Sequence, residues 1–247
     1  MKDNKIERTR QQAMMFGRQF LQGDGGVFDH ALGADAIAAA ISAQAPGCRE
    51  RIYTPLDTLR LFVGQVLSAD RACQDVVGRR LSERIAQGQS ESALTTGSYC
   101  EARQRLPLAM PVALGSALGA QLELLAPAHW RWQGRSVKLF DGTIVSMPDT
   151  ASNQKAYPQS HEQKPGLGFP MVRIGALIGL ASGAMLGYQV VACEGKGTGE
   201  QTLLGNLLDH LDAGDIVLAD ALLATWWIIE GATRRRADVV LWLRRGI

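Results

Sequence analysis

The stretch Thr198–Asp220, TGEQTLLGNLLDHLDAGDIVLAD, limits the fold more than any other part of the chain. Leu203, Leu204, Leu207, Leu208 and Leu211 recur at helical spacing and form one apolar stripe, which needs a surface to cover it. Thr198 and Gln201 match a capping box at the start of this helix, and Gly214 suits its stop. The run DIVLAD then reads as a short, continuously apolar strand closed by Asp220. A strand apolar on both faces belongs inside a covered, partly parallel sheet. A further helix, ALLATWWIIEGATRRR, and a further strand, DVVLWLR, follow. Upstream, SVKLFD reads as a strand, and FPMVRIGALIGL and AMLGYQVVAC as a hairpin turning at Ala181-Ser182-Gly183. The order of strand, strand, strand, helix, strand, helix, strand implies an α/β layer.

The first part of the chain has a different character. YTPLDTLRLFVGQVLSADRAC opens on Thr54 as N-cap and Pro55 at the first helical position. Leu56, Leu59, Phe62, Val63, Val66 and Leu67 follow at helical spacing. YCEARQRL and PVALGSALGAQLELLA read as further helices, with the polar loop AQGQSESALTTGS before them. The segment APAHWRWQGRS marks a boundary near residue 130, giving a helical region over 1–130 and an α/β region over 131–247.

Composition excludes some classes. Apolar residues at 46% and charged residues at 20% describe a globular chain. A net charge of +2 does not announce nucleic-acid binding, although Arg234, Arg235, Arg236, Arg244 and Arg245 crowd the C-terminal end. Cys48, Cys73, Cys100 and Cys193 are far apart in the chain and form no CxxC pair, so free thiols are expected. Ile174–Cys193 lacks charge and carries Gly175, Gly179, Gly183 and Gly187 at intervals of four, which imitates a membrane helix. Four glycines weaken a helix in water, and Ser182, Tyr188 and Gln189 dilute the run, so the hairpin is the expectation.

Asp141 and Asp220 each close an apolar run. If their strands are sheet neighbours, two carboxylates meet at one edge and repel unless they share a proton or a cation. Oxygen-only ligation suits Mg²⁺ or Mn²⁺, and two such ions can clamp a phosphodiester. The residues alone leave a second account open, in which Asp141-Gly142 starts a turn and Asp220 caps the next helix. A haloacid-dehalogenase-type nucleophile is excluded, because Leu139 stands where that Asp would be. Asp149 and Glu200 are alternative acids.

Longer blocks narrow the choice. TPLDTLRLFVGQVLSADRACQDVV, TTGSYCEARQRLP, FDGTIVSMPDTASNQKAYPQ, QKPGLGFPMVRIGALIGLASGAMLGY and GKGTGEQTLLGNLLDHLDAGDIVLAD together resemble the insertion-sequence-four group of bacterial DDE transposases. The resemblance implies a helical DNA-binding region followed by a ribonuclease-H-like core, incomplete here, with an antiparallel strand meander, a helix and a parallel strand. It implies that Asp141 and Asp220 are the first two metal-binding acids, holding Mg²⁺ or Mn²⁺ in a two-metal site that cuts and joins double-stranded DNA at transposon ends. Lys155, Tyr157 and Lys164 become candidate DNA contacts, whereas Trp226 and Trp227 are expected in the core. The chain departs from the group at Ala221, where a basic residue is usual, and at the third acid. Only Glu230 and Asp238 follow Asp220, and neither lies where the group's catalytic Glu does. The expectation is therefore a transposase truncated before that Glu and inactive or impaired. The alternative is a non-catalytic DNA-binding or inhibitory fragment, dimeric or paired with a full-length partner, in the cytoplasm at the nucleoid and not in a membrane.

Overall fold

The computed structural model describes residues 32–45, 52–88, 95–164 and 166–241. Its contacts divide the chain into two compact units, Met1–Leu118 and Gly119–Ile247.

The first unit is helical. Its helices among the described residues are α1 (Ala34–Gln44), α2 (Pro55–Leu67), α3 (Cys73–Ala86), α4 (Thr96–Arg105) and the first part of α5 (Ala109–Leu125). α2 begins as the sequence indicates: Pro55 is at its first turn, and Thr54 Oγ1 accepts from Asp57 N at 3.1 Å. The helix ends at Leu67, and Arg71, at φ 55°, turns the chain into α3. The expected apolar stripe of α2 holds for Leu59, which is buried, and for Leu56 and Val63, which pack half-buried against the same core, but Val66 and Leu67 are exposed. The inward face carries Thr58 and Gln65 instead, which is tolerable because both are hydrogen-bonded. Ile37, Leu59, Met110 and Leu114 form one core and Val76, Val77 and Tyr99 another. Residues 89–94 of the expected polar loop, Cys48, and the last residues from 242 on lie outside the described residues.

The second unit is mixed α/β. One five-stranded sheet has the order β3-β2-β1-β4-β5. Its strands are β1 (Val137–Ser146), β2 (Met171–Gly179), β3 (Met185–Ala192), β4 (Ile216–Ala219) and β5 (Asp238–Leu241). β1, β2 and β3 pair antiparallel, while β4 pairs parallel with β1 and β5 parallel with β4. The helices are α6 (Ala151–Ala156), α7 (Glu200–Leu207) and α8 (Trp226–Arg234). Phe140, Leu177, Val217 and Ala219 share one sheet face with Leu203, Leu204, Leu207, Ile228 and Ala232 of α7 and α8. The five leucines of the stripe are all buried.

Several local expectations need correction. α7 starts at Glu200 with Gly199 as N-cap and no side-chain cap, so the capping box does not form. Thr198 Oγ1 donates instead to Gly195 O, and Gln201 Nε2 to Leu222 O. The helix read as ALLATWWIIEGATRRR is split into a 3₁₀ turn, Ala221–Leu223, and α8. That break sets the phase of α8 so that Ile228 and Ala232 point inward. Trp226 and Trp227 are consequently 63% and 75% exposed rather than in the core.

The glycine-spaced stretch forms the β2–β3 hairpin, with Gly183 at φ 68° in its turn. A Cβ at Gly175 would lie 3.1 Å from Leu203, and one at Gly187 2.7 Å from the His210 ring, so both glycines serve close packing beneath α7 and the turn after it. No single helix among the described residues is long and apolar enough to cross a membrane.

Candidate functional site

β1 and β4 pair through Val137↔Ile216, Lys138↔Val217 and Leu139↔Leu218. Asp141 and Asp220 each lie two residues beyond the last of these pairs, so the same register sets them side by side. Side chains two apart in a strand share a face, and neighbouring backbones run about 4.8 Å apart. Both carboxylates therefore stand at the end of the parallel ladder, on the face opposite α7, and both are exposed.

The expectation that Asp141 ends its strand is not met. β1 continues to Ser146, with Asp141 opposite Ala176 and Gly142 opposite Gly175 in the antiparallel ladder to β2. The Asp-Gly pair makes no turn here. What Gly142 provides is room: a Cβ there would sit 3.0 Å from Glu200 Oε1. The parallel ladder, by contrast, does end before the acid. Asp220 follows β4 and accepts from Leu222 N at 3.3 Å, capping the 3₁₀ turn. Asp141 Oδ1 accepts from Gly142 N at 2.8 Å. Among the described residues, each acid thus keeps its second oxygen without a hydrogen bond, and neither makes an ion pair.

The other candidates are placed elsewhere. Glu200 lies over Gly142 on the opposite face from Asp141, with Arg173 Nη1 at 3.8 Å. Asp149 is exposed and accepts from Gln154 Nε2 at 2.9 Å. The polar connection from β1 to β2 contains α6, whose last turn carries exposed Lys155. Tyr157 is its C-cap, and its carbonyl accepts from Met171 N at 3.3 Å. Lys164 is exposed, its carbonyl accepting from Gln159 Nε2 at 2.9 Å. None of these three side chains bonds to Asp141 or Asp220.

Both later acids are already engaged. Glu230 pairs with Arg234 along α8, and Asp238 Oδ2 lies 2.6 Å from Arg135 Nη2. Asp238 also sits opposite Ile216, at the start of β4 and far along the strand from Asp220.

Two exposed carboxylates with free oxygens fit one hard divalent cation whose other ligands are waters. Among the described residues no group of three or more His, Cys, Asp or Glu side chains converges. Sequence reasoning missed two further clusters because each joins distant segments. Lys138 and Asp215 form a buried ion pair at 2.6 Å, and Cys73 and Cys100 bring their sulfurs to 3.9 Å. The only sequence signal for the first was a lysine inside an apolar strand.

No family model and no curated protein matches the chain.

Proposed function

We propose that the chain is a DDE-transposase-type protein of the insertion-sequence class, with Asp141 and Asp220 as its metal-holding acids and duplex DNA as its partner. The observation that supports this most is the adjacency of the two acids past the end of the parallel β1–β4 ladder, in a sheet ordered β3-β2-β1-β4-β5. An antiparallel three-strand meander followed by a helix and a parallel fourth strand is the arrangement a ribonuclease-H-like core requires. The chemistry a Mg²⁺ or Mn²⁺ ion supplies when bound is activation of an oxygen nucleophile and neutralisation of phosphate charge. Asp141 and Asp220 would each offer the oxygen that carries no backbone hydrogen bond. Glu230 and Asp238 are held by arginines and no third acid among the described residues joins Asp141 and Asp220, so strand cleavage by these two acids alone is impaired. It acts instead by occupying transposon ends, as a dimer or beside a second transposase chain, at the nucleoid in the cytoplasm. The exposed Lys155 and Lys164, with Tyr157 between them in the chain, would meet the phosphate backbone.

Two measurements test this together. Mn²⁺ should raise the melting temperature of the native chain and leave that of Asp141→Asn/Asp220→Asn unmoved. Equal stabilisation of both proteins would remove the metal assignment. Duplex DNA should be retarded in gels with steep salt dependence, while supercoiled plasmid in Mg²⁺ stays intact. Plasmid nicking that disappears in Asp141→Ala would keep the class but overturn the claim of impaired cleavage.

A further inference from the structure

The first unit holds a pair of thiols that the chemistry above does not use. Cys73 is the first residue of α3 and Cys100 lies within α4. Their sulfurs are 3.9 Å apart across 27 residues of chain, and both residues are half-buried.

A polar network decides which sulfur accepts. Tyr99 donates its hydroxyl to Gln65 Oε1 at 2.9 Å, and burial pushes that phenol up to about 12, so it remains a donor. Arg103 Nη1 donates to the same oxygen at 3.1 Å. The Gln65 amide is thereby oriented, and its Nε2 donates to Arg71 O at 2.8 Å and to Cys73 Sγ at 3.4 Å. Arg103 Nη1 also reaches Cys73 Sγ at 3.9 Å, with its guanidinium held 4.7 Å over the Phe62 ring. Two N–H groups therefore point at the Cys73 sulfur. Cys100 has Cys73 as its partner, and that hydrogen bond, followed by burial, pushes its thiol up.

We propose that Cys73 and Cys100 form a reversible disulfide when the protein meets a low-molecular-weight disulfide such as oxidised glutathione. Cys73 loses its proton to solvent and attacks one sulfur of the small disulfide. That S–S bond breaks, one small thiolate leaves, and a mixed disulfide forms on Cys73. Cys100 then gives up its proton and attacks Cys73 Sγ, releasing the second small thiolate. Two electrons pass from the cysteines to the oxidant, which ends as two thiols. The sulfurs close from 3.9 Å to a bond of about 2.05 Å. The bridge ties the start of α3 to the body of α4 and removes the thiol acceptor that Gln65 and Arg103 share. It does not depend on the DNA-binding reading, since the test reads only thiols.

The test uses the full chain, incubated with oxidised glutathione, then denatured and alkylated. Two of the four cysteines should lose their label, a proteolytic peptide should join Cys73 to Cys100, and dithiothreitol should reverse both. The oxidised protein should melt several degrees above the reduced one, because the bridge restricts the unfolded chain. Cys100→Ser should trap glutathione on Cys73, and Cys193→Ser should still cross-link. Full labelling of all four thiols overturns the proposal, as does a bridge that joins Cys48 or Cys193 to either member of the pair.

Discussion

The two ends of the β1–β4 pair handle charge in opposite ways. Where the parallel ladder begins, Lys138 and Asp215 are buried, with side chains 5% and 8% exposed, and meet at 2.6 Å. Lys138 Nζ also donates to His210 O at 2.6 Å, and Asp215 Oδ2 accepts from Asp212 N at 2.7 Å. Past the ladder's other end, Asp141 and Asp220 stand in solvent and, among the described residues, accept hydrogen bonds only from backbone N–H groups. A charge removed from water must be matched by protein groups, whereas a charge left in water can wait for a ligand. The first pair is closed on itself and reads as architecture. The second is open, which is why it is the place to look for a metal.

The largest effect should come from breaking the closed end. Lys138→Met leaves Asp215 buried without its cation, a change expected to cost about 3–5 kcal/mol. The melting temperature should fall on the order of 10 °C. Replacing both residues together with apolar ones of similar size should recover much of that loss, because no unpaired charge remains. A single variant that melts with the native protein would mean that water already reaches Asp215, and the contrast between the two ends would collapse.

The open end should respond in the other direction. Asp141→Asn/Asp220→Asn removes two neighbouring like charges while keeping a side-chain carbonyl that can accept from Gly142 N and Leu222 N. Stability without metal should stay level or rise by about 0.5 kcal/mol at low salt, with the gain fading as salt screens the repulsion. Denaturant titration at two ionic strengths reads this directly. A loss beyond about 2 kcal/mol would place the carboxylates among the structural groups.

This contrast also marks what was legible in the sequence. The leucine stripe from Leu203 to Leu211 needed only local periodicity, and all five leucines are buried even though α7 ends at Leu207 and a 3₁₀ turn carries Leu208. The hairpin and the Thr54 cap were legible from equally local signals, whereas Asp141 and Asp220 could be matched only on the condition that β1 and β4 are neighbours, which the parallel ladder meets. The capping box failed because Thr198 had a nearer partner in Gly195 O and Gln201 a distant one in Leu222 O. Trp226 and Trp227 were misplaced because the break at residues 224–225 reset the helical phase. The length of β1 beyond Asp141 depended on pairing with β2, which no local pattern encodes. Lys138–Asp215 and Cys73–Cys100 each join residues far apart in sequence, and nothing in either segment alone announces the other.

The smallest expected effect tests a third charge arrangement, exposed like the acid pair but paired like Lys138 and Asp215. His161 Nδ1 lies 2.5 Å from Glu194 Oε2, and Ser160 Oγ donates to Glu194 Oε1 at 2.8 Å, tying the β1–β2 connection to the residues after β3. The hydrogen bond to Glu194, aided by its charge, raises His161 above its ordinary 6.5. The bonds from His161 and Ser160 hold Glu194 below its ordinary 4.5. A raised histidine contributes stability that is complete below 6.5 and is lost as pH rises through the folded-state value. A depressed carboxylate contributes stability that is complete above 4.5 and is lost as pH falls through its folded-state value. The tie is therefore strongest between those two ordinary values, and solvent screening keeps its effect on global unfolding small. NMR titration of the His161 ring should give a midpoint above 6.5 in the native protein. Glu194→Gln should bring that midpoint down, with the melting temperature almost unchanged. A midpoint that ignores the substitution would show that the connection is not anchored at Glu194.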